Sequence, residues 1–221
     1  MLVSEVVQKS VVPVSPSTLL TDVLIENYPE NILYLPVVEE NHFLGFLSLV
    51  DLELERELND TVGQCSLDTT EVFTSPGQHL FEVLVLFQKA ALPVLPVLNE
   101  DSEFQGIISL DQLLHTLASS HAFQADGAVL VLSVEAIQYS LSEISRLVES
   151  NQGKILMVLV ESDPFTHEKL LVHLKINLPD LSRVVATLER YEYQVVELHH
   201  KTELISLDQE RLDQLMKYLG I

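Results

Sequence analysis

Ser48 and Asp51 lie three residues apart in the run Ser48-Leu49-Val50-Asp51, directly after the apolar stretch Phe43-Leu44-Gly45-Phe46-Leu47. The pattern reads as a strand passing into a helix. Serine is a preferred N-cap there, and a carboxylate in the first turn is favoured by the helix dipole. The same pair has a chemical use. An ionised Asp at a helix start accepts hydrogen bonds from the vicinal hydroxyls of a ribose, and a nearby Ser holds a ribose or phosphate oxygen with the helix N-terminus assisting. A plain helix cap and a ligand site both fit this spacing.

Other chemistries find no support. The sequence has no phosphate loop and no Gly-x-Ser-x-Gly elbow, and nothing assembles a nucleophile, a base and an oxyanion donor. Of its eight histidines, His199 and His200 are adjacent on an expected strand and so face opposite ways. His167 and His173 are six apart across a turn, which matches no usual ligand spacing. No metal site and no enzyme activity are expected.

The elements that must position Ser48 and Asp51 occur twice. Leu35-Pro36-Val37-Val38 returns 60 residues later as Leu95-Pro96-Val97-Leu98. Gly45-Phe46-Leu47-Ser48-Leu49 returns at an offset of 61 as Gly106-Ile107-Ile108-Ser109-Leu110. Upstream, Ser15-Pro16 with Leu20, Val23 and Leu24 is matched by Ser75-Pro76 with Leu80, Val83 and Leu84. Several matches in register, with one added residue in a turn, indicate an internal repeat. Two copies favour a pseudo-symmetric pair burying its apolar faces together over a solenoid. Each copy reads as helix, strand, turn, strand, helix. The expected helices start at Ser15-Pro16 and end at Tyr28-Pro29, run from Asp51 to Leu58, and span 78–90 and 110–120. The last-but-one is apolar enough to serve an interface as well as a core.

Helix, a strand ending in Pro-Val, a turn and then Gly-x-x-Ser-x-x-Asp resembles the CBS domain, and a tandem pair resembles a Bateman module. The resemblance covers roughly residues 1–122, with motifs at 1–60 and 61–122. Gly45, Ser48 and Asp51 match the signature. In the second copy Gly106 and Ser109 match, Gln112 replaces the Asp, and Asp111 lies one position early. The resemblance implies a regulatory module binding an adenosine-containing ligand: S-adenosylmethionine, adenosine, AMP or ATP. The adenine would pack on Val12, Val14, Pro36 and Val37, with Ser48 and Asp51, and Ser109 and Asp111, as the polar contacts. It also implies a homodimer. The alternative is a structural or protein-interaction module whose sites bind nothing.

After a linker at 122–127 the pattern changes. Strands at 128–134, 154–161, 170–176 and 194–199 alternate with helices at 140–150 and from Asp180 to about Glu189. This is the ferredoxin-like order βαββαβ, so the whole chain is α+β. The unit at 127–200 resembles an ACT domain in order and size, and in the segment Asn177-Leu178-Pro179-Asp180-Leu181-Ser182-Arg183-Val184. The resemblance implies dimerisation or a second, amino-acid-sensing site. The loop Glu135-Ala136-Ile137-Gln138-Tyr139 lacks the glycine that lets backbone approach such a ligand. Residues 201–221 are expected to form a C-terminal helix, amphipathic over 207–219 with Leu212, Leu215, Met216 and Leu219 on one side, that packs on the protomer or a partner.

Composition sets the surroundings. The 221 residues are 47% hydrophobic and carry 12 Lys and Arg against 33 Asp and Glu, a net charge of −21. Residues 1–125 hold Lys9, Arg56 and Lys89 against 18 acids, or −15. Such a surface repels nucleic acid and anionic lipid. The single Cys65 excludes an internal disulfide and fits a reducing compartment. Without a signal-like leader or an uninterrupted apolar span, a cytoplasmic protein without membrane contact is expected.

Overall fold

The structure, a computed structural model, describes residues 1–26, 28, 32–54, 60–166 and 168–199. The far half of the helix expected after Asp51, together with Arg56, Pro29, His167, His200 and the stretch 201–221, lies outside the described residues. The chain divides between Ala118 and Ser119 into two compact units.

The first unit contains the two sequence copies. In the first, helix α1 (Leu20–Ile25) precedes strands β1 (Tyr34–Glu39) and β2 (His42–Ser48) and helix α2 (Leu49–Leu54). In the second, α3 (Leu80–Lys89) precedes β3 (Val94–Leu98), β4 (Phe104–Ser109) and α4 (Leu110–Ala118). Each strand pair is an antiparallel ribbon. The registers match, with Pro36 opposite Phe46 and Val37 opposite Gly45 in one, and Pro96 opposite Ile107 and Val97 opposite Gly106 in the other. Pro36 is tolerated because its backbone faces away from β2: its carbonyl accepts from Val14 N at 2.9 Å, so the missing amide removes no ladder bond.

Both ribbons are completed by short leading segments, and these segments are exchanged. Each copy's own lead lies beside its first strand in parallel, Val14 at Val37 and Thr74 at Val97. The earlier part of each lead crosses to the other copy. Gln8 N donates to Ile107 O at 2.8 Å and Ile107 N to Gln8 O at 3.3 Å. In the first copy, Asp68 and Phe46 exchange two bonds of 2.8 Å. The cores follow the same rule. Val3 is buried with Leu80, Val83, Phe87, Leu95 and Ile108. Val62 is buried with Leu20, Val23, Leu35 and Phe46. Phe43 and Phe104, equivalent in the repeat, stack with centroids 6.0 Å apart where the two copies meet.

The exchange also corrects one expected helix. Residues 15–18 do not open α1. Thr18 N bonds to Ser15 O at 2.9 Å, closing a turn, while Pro16 O and Thr18 O accept from Gly63 N and Val62 N. Carbonyls that a helix would have used are committed to the second copy's lead, and α1 is cut to six residues.

The second unit carries β5 (Ala128–Glu135), α6 (Leu141–Ser150), β6 (Ile155–Ser162), β7 (Lys169–Ile176), α7 (Ser182–Arg190) and β8 (Gln194–His199), after a short α5 (His121–Gln124). The sheet order β6-β7-β5-β8 is antiparallel throughout, so the βαββαβ arrangement is ferredoxin-like. Alternate residues of β5 and β7, such as Leu130, Leu132, Leu174 and Ile176, are buried with Ile144, Leu147, Val184 and Leu188 of the two helices. Asp180 is not the N-cap of α7. Leu181 holds that position, and Asp180 instead accepts from Ser182 N at 2.9 Å and Ser182 Oγ at 2.5 Å.

Gly106 has a φ of +141°. A Cβ there would meet Val7 Cγ2 at 2.8 Å and Gln8 O at 2.9 Å. Gly106→Ala is expected to cost about 2–4 kcal/mol, combining backbone strain with displacement of the exchanged segment. Gly77→Ala, with nothing within 4 Å of the new carbon, is expected to change stability by less than about 1 kcal/mol. Urea unfolding of the two variants measures the difference.

Candidate functional site

Ser48 ends β2 and is 9% exposed. Its Oγ accepts from Asp51 N at 3.3 Å, and the Asp51 side chain lies exposed in the first turn of α2. Ser109 repeats this geometry, accepting from Gln112 N at 3.2 Å. Both serines are therefore N-caps. In the repeat Gln112 stands at the position of Asp51, and Asp111 at that of Val50. A hydroxyl that accepts from backbone still has its own proton to donate, so the cap leaves each serine able to bind a ligand oxygen.

The second copy's serine opens onto a cavity of about 180 Å³. Its apolar walls are Ile32 and Leu33, which lead into β1, and Pro93, Val94 and Ile107 of the second copy. Its polar groups are Gln8, Tyr34, Ser109 and Asp111. Gln8 comes from the exchanged lead, so both copies build this cleft. Among the described residues, the Gln8 amide, the Tyr34 hydroxyl and the Asp111 carboxylate make no hydrogen bond or ion pair within the protein. Asp111 is the one charged residue among the described residues of the lining. The described lining thus combines apolar walls with uncommitted donors and acceptors and one carboxylate, which disfavours an anionic group beside Asp111.

The residues expected at the site are not all gathered there. Ser109 and Asp111 line the cleft; Ser48 and Asp51 do not. Val12 is 62% exposed, while Val14 and Val37 are buried in the core around Phe46. Pro36 is buried in β1. Gln8 and Tyr34 were not anticipated. Tyr34 immediately precedes the Leu35-Pro36-Val37 motif, and the step Val7-Gln8 recurs as Leu67-Asp68 at the 60-residue offset, which is the signal that carries Gln8.

The second unit has a cavity of its own, about 380 Å³, where the ends of β5, β7 and β8 meet. Tyr193 Oη donates to Glu143 Oε2 at 2.9 Å there. Burial, and then that hydrogen bond, push the phenol up to about 12, so Tyr193 remains a donor at neutral pH. Glu135, Glu192 and Lys169 also line the space, with Lys169 3.8 Å from Glu135. Arg146 and Arg190 each sit 5.6 Å from the centre of the Tyr191 ring.

Residues 3–54 and 65–119 match the family model for the CBS domain. Among solved structures, a CBS domain pair/ACT domain protein from Thermotoga maritima is 24% identical, covering 53% of this chain and 96% of its own, with a TM-score of 0.46. The cytosolic domain of the Mg2+ channel MgtE, in complex with ATP, is 26% identical over 50% of this chain and 46% of its own, with a TM-score of 0.44. The CBS domain of a bacterial CNNM/CorC family Mg2+ transporter, in complex with ATP, is 18% identical over 54% and 89%, with a TM-score of 0.47.

Removing either cap tests the local geometry. Ser48→Ala and Ser109→Ala are each expected to destabilise the chain by about 0.5–2 kcal/mol, and Ser→Asn at the same positions by much less. Thermal melts without ligand measure this.

Proposed function

We propose that this chain, which carries a tandem pair of CBS domains at residues 3–54 and 65–119, is a regulatory sensor binding a phosphate-free adenosine compound in the cleft around Ser109. The observation that carries this reading is the lining: apolar walls with uncommitted polar side chains and, among the described residues, a single charge, the carboxylate of Asp111. The purine rests between Ile32 and Leu33 on one side and Pro93 and Val94 on the other. Ser109 and Asp111 meet the ribose hydroxyls at the start of α4.

Size and charge narrow the ligand. Small-molecule sites usually enclose roughly 300–1,000 Å³; about 180 Å³ suits a base and part of a sugar better than a nucleoside triphosphate. Among the described residues no Lys or Arg lines the cleft, and like charge between Asp111 and a phosphate is unfavourable at short range. Adenosine, and S-adenosylmethionine with its positive sulfonium, avoid that cost; AMP and ATP do not. Ser48 and Asp51 offer the related first-copy position, whose contribution shows as a second binding event.

The signalling unit is a homodimer in this reading. Leu80, Val83 and Phe87 of α3 turn into their own core, while Phe81 is 63% exposed and Val85, one turn on, 50% exposed; Leu114 of α4 is 51% exposed. A helix pair with apolar residues on its outer face is suited to an isologous contact with a second copy. The ferredoxin-like unit is ACT-like and serves as a dimerisation element or second sensor, with its polar cavity as the place for a second ligand. The reading is non-catalytic and cytoplasmic, without nucleic-acid or membrane partners and with no cofactor required. Among the described residues no helix is long and apolar enough to cross a membrane, and no cluster of His, Cys, Asp and Glu suits a metal ion.

Asp111→Ala is expected to weaken adenosine by about 1.5–3 kcal/mol, the range for a hydrogen bond to a charged group. A thermal-shift titration measures it, and unchanged affinity would remove Asp111 from the site. Phe81→Asp is expected to give a monomer by light scattering at micromolar concentration, where the native chain is a dimer. A variant that stays dimeric would move the interface elsewhere.

A further inference from the structure

We infer that Gln8 is the specificity-determining residue of the cleft, reading the edge of the base and selecting adenine. The inference rests on the reading of the cleft as an adenosine site and adds to it a residue outside the CBS signature.

The backbone of Gln8 is fixed. It bonds to Ile107 in both directions, at 2.8 and 3.3 Å. Side chains alternate across an extended segment, and Val7, the neighbour, packs into the second copy's core. Gln8 therefore turns the other way, toward the cavity that the residue lines. Its amide makes no hydrogen bond among the described residues. A half-buried carboxamide on a backbone held by two bonds, with no partner among the described residues, is free to pair with a ligand.

Its chemistry singles out one kind of edge. A carboxamide presents a donor and an acceptor side by side, and adenine answers with the N7 acceptor and the N6 donor. Hypoxanthine and guanine present two acceptors there, O6 and N7, which leaves the amide oxygen facing a lone pair. The other polar groups of the lining do not offer this pairing: Ser109 and Tyr34 carry single hydroxyls, and Asp111 is acceptor-only when ionised. At the equivalent place in the first copy Asp68 faces Phe46, and a carboxylate there lacks the donor. The two copies therefore differ in base reading as well as in the ribose-side residue.

The test is calorimetric titration of the full chain with adenosine and inosine, which differ in the group at position 6 of the ring. The native chain is expected to bind adenosine tenfold to a hundredfold more tightly than inosine, the range for one bidentate base contact. Gln8→Leu is expected to bind the two within about threefold of each other, chiefly through loss of adenosine affinity. Asp68→Asn, as control, is expected to keep the native preference. If the native chain binds adenosine and Gln8→Leu keeps the preference, Gln8 is not the reader, although the adenosine reading stands. If the native chain binds neither nucleoside, the adenosine reading falls and this inference with it. A crystal structure of the native chain with adenosine decides the point independently of whether the variant folds. Gln8 paired with N6 and N7 supports it, and an amide turned away from the base overturns it.

Discussion

Residues 1–8 and 61–68 each finish the fold of the copy to which they do not belong in sequence. The Gln8–Ile107 and Asp68–Phe46 bridges supply the edge that each two-stranded ribbon lacks, and a lone two-stranded ribbon is marginal in water. The close approach sets a steric limit on both copies. A Cβ at Gly45 would meet Leu67 Cβ at 3.0 Å and Asp68 O at 3.2 Å, as one at Gly106 would meet Val7 and Gln8. The glycine of the Gly-x-x-Ser motif is thus placed by chain crossing, while the serine three residues on is placed by helix capping. One short motif records two separate constraints.

Because the leads cross, neither copy has a complete core alone, and the cleft inherits the same dependence. Gln8 reaches Ser109 and Asp111 only because the first copy's lead runs along β4. The two copies have also diverged around the shared architecture. Tyr34, Phe43 and Phe46 form an aromatic cluster in the first, with Phe46 edge-on to both neighbours at 6.3 and 4.8 Å. The equivalent positions in the second are Val94, Phe104 and Ile107. Smaller side chains at two of the three positions leave room beside Ser109. The acidic residue shifts as well, from Asp51 in one copy to Asp111 in the other.

The repeat made much of this legible. Offsets of 60 and 61 located both ribbons, both caps and the odd residue in the turn, since strand pairs and N-caps are specified by residues close in sequence. The ferredoxin-like order was likewise readable from alternating strands and the amphipathic stretch at 140–150. What the sequence hid is long-range. Ser15-Pro16 looks like a helix start because local signals favour one, and only the contact of Pro16 O and Thr18 O with the second copy's lead prevents it. The family resemblance assigns Val14 and Val37 to the adenine, yet they pair in parallel and are buried. Gln8 lies outside the signature, and only the repeat, which sets it against Asp68, marks its position. Its role depends on a bridge to a residue 99 positions away.

Asp111 is the one charged group among the described residues of the cleft, and a carboxylate there favours an adenosyl compound without phosphates. The direct measurement is calorimetric titration of the full chain with adenosine and with ATP at low and moderate salt. Adenosine is predicted to bind more tightly than ATP, with an affinity that salt barely changes, and ATP to gain as salt screens the repulsion. Tighter binding of ATP that weakens as salt rises would contradict the account, showing that cations reach the cleft and hold the phosphates.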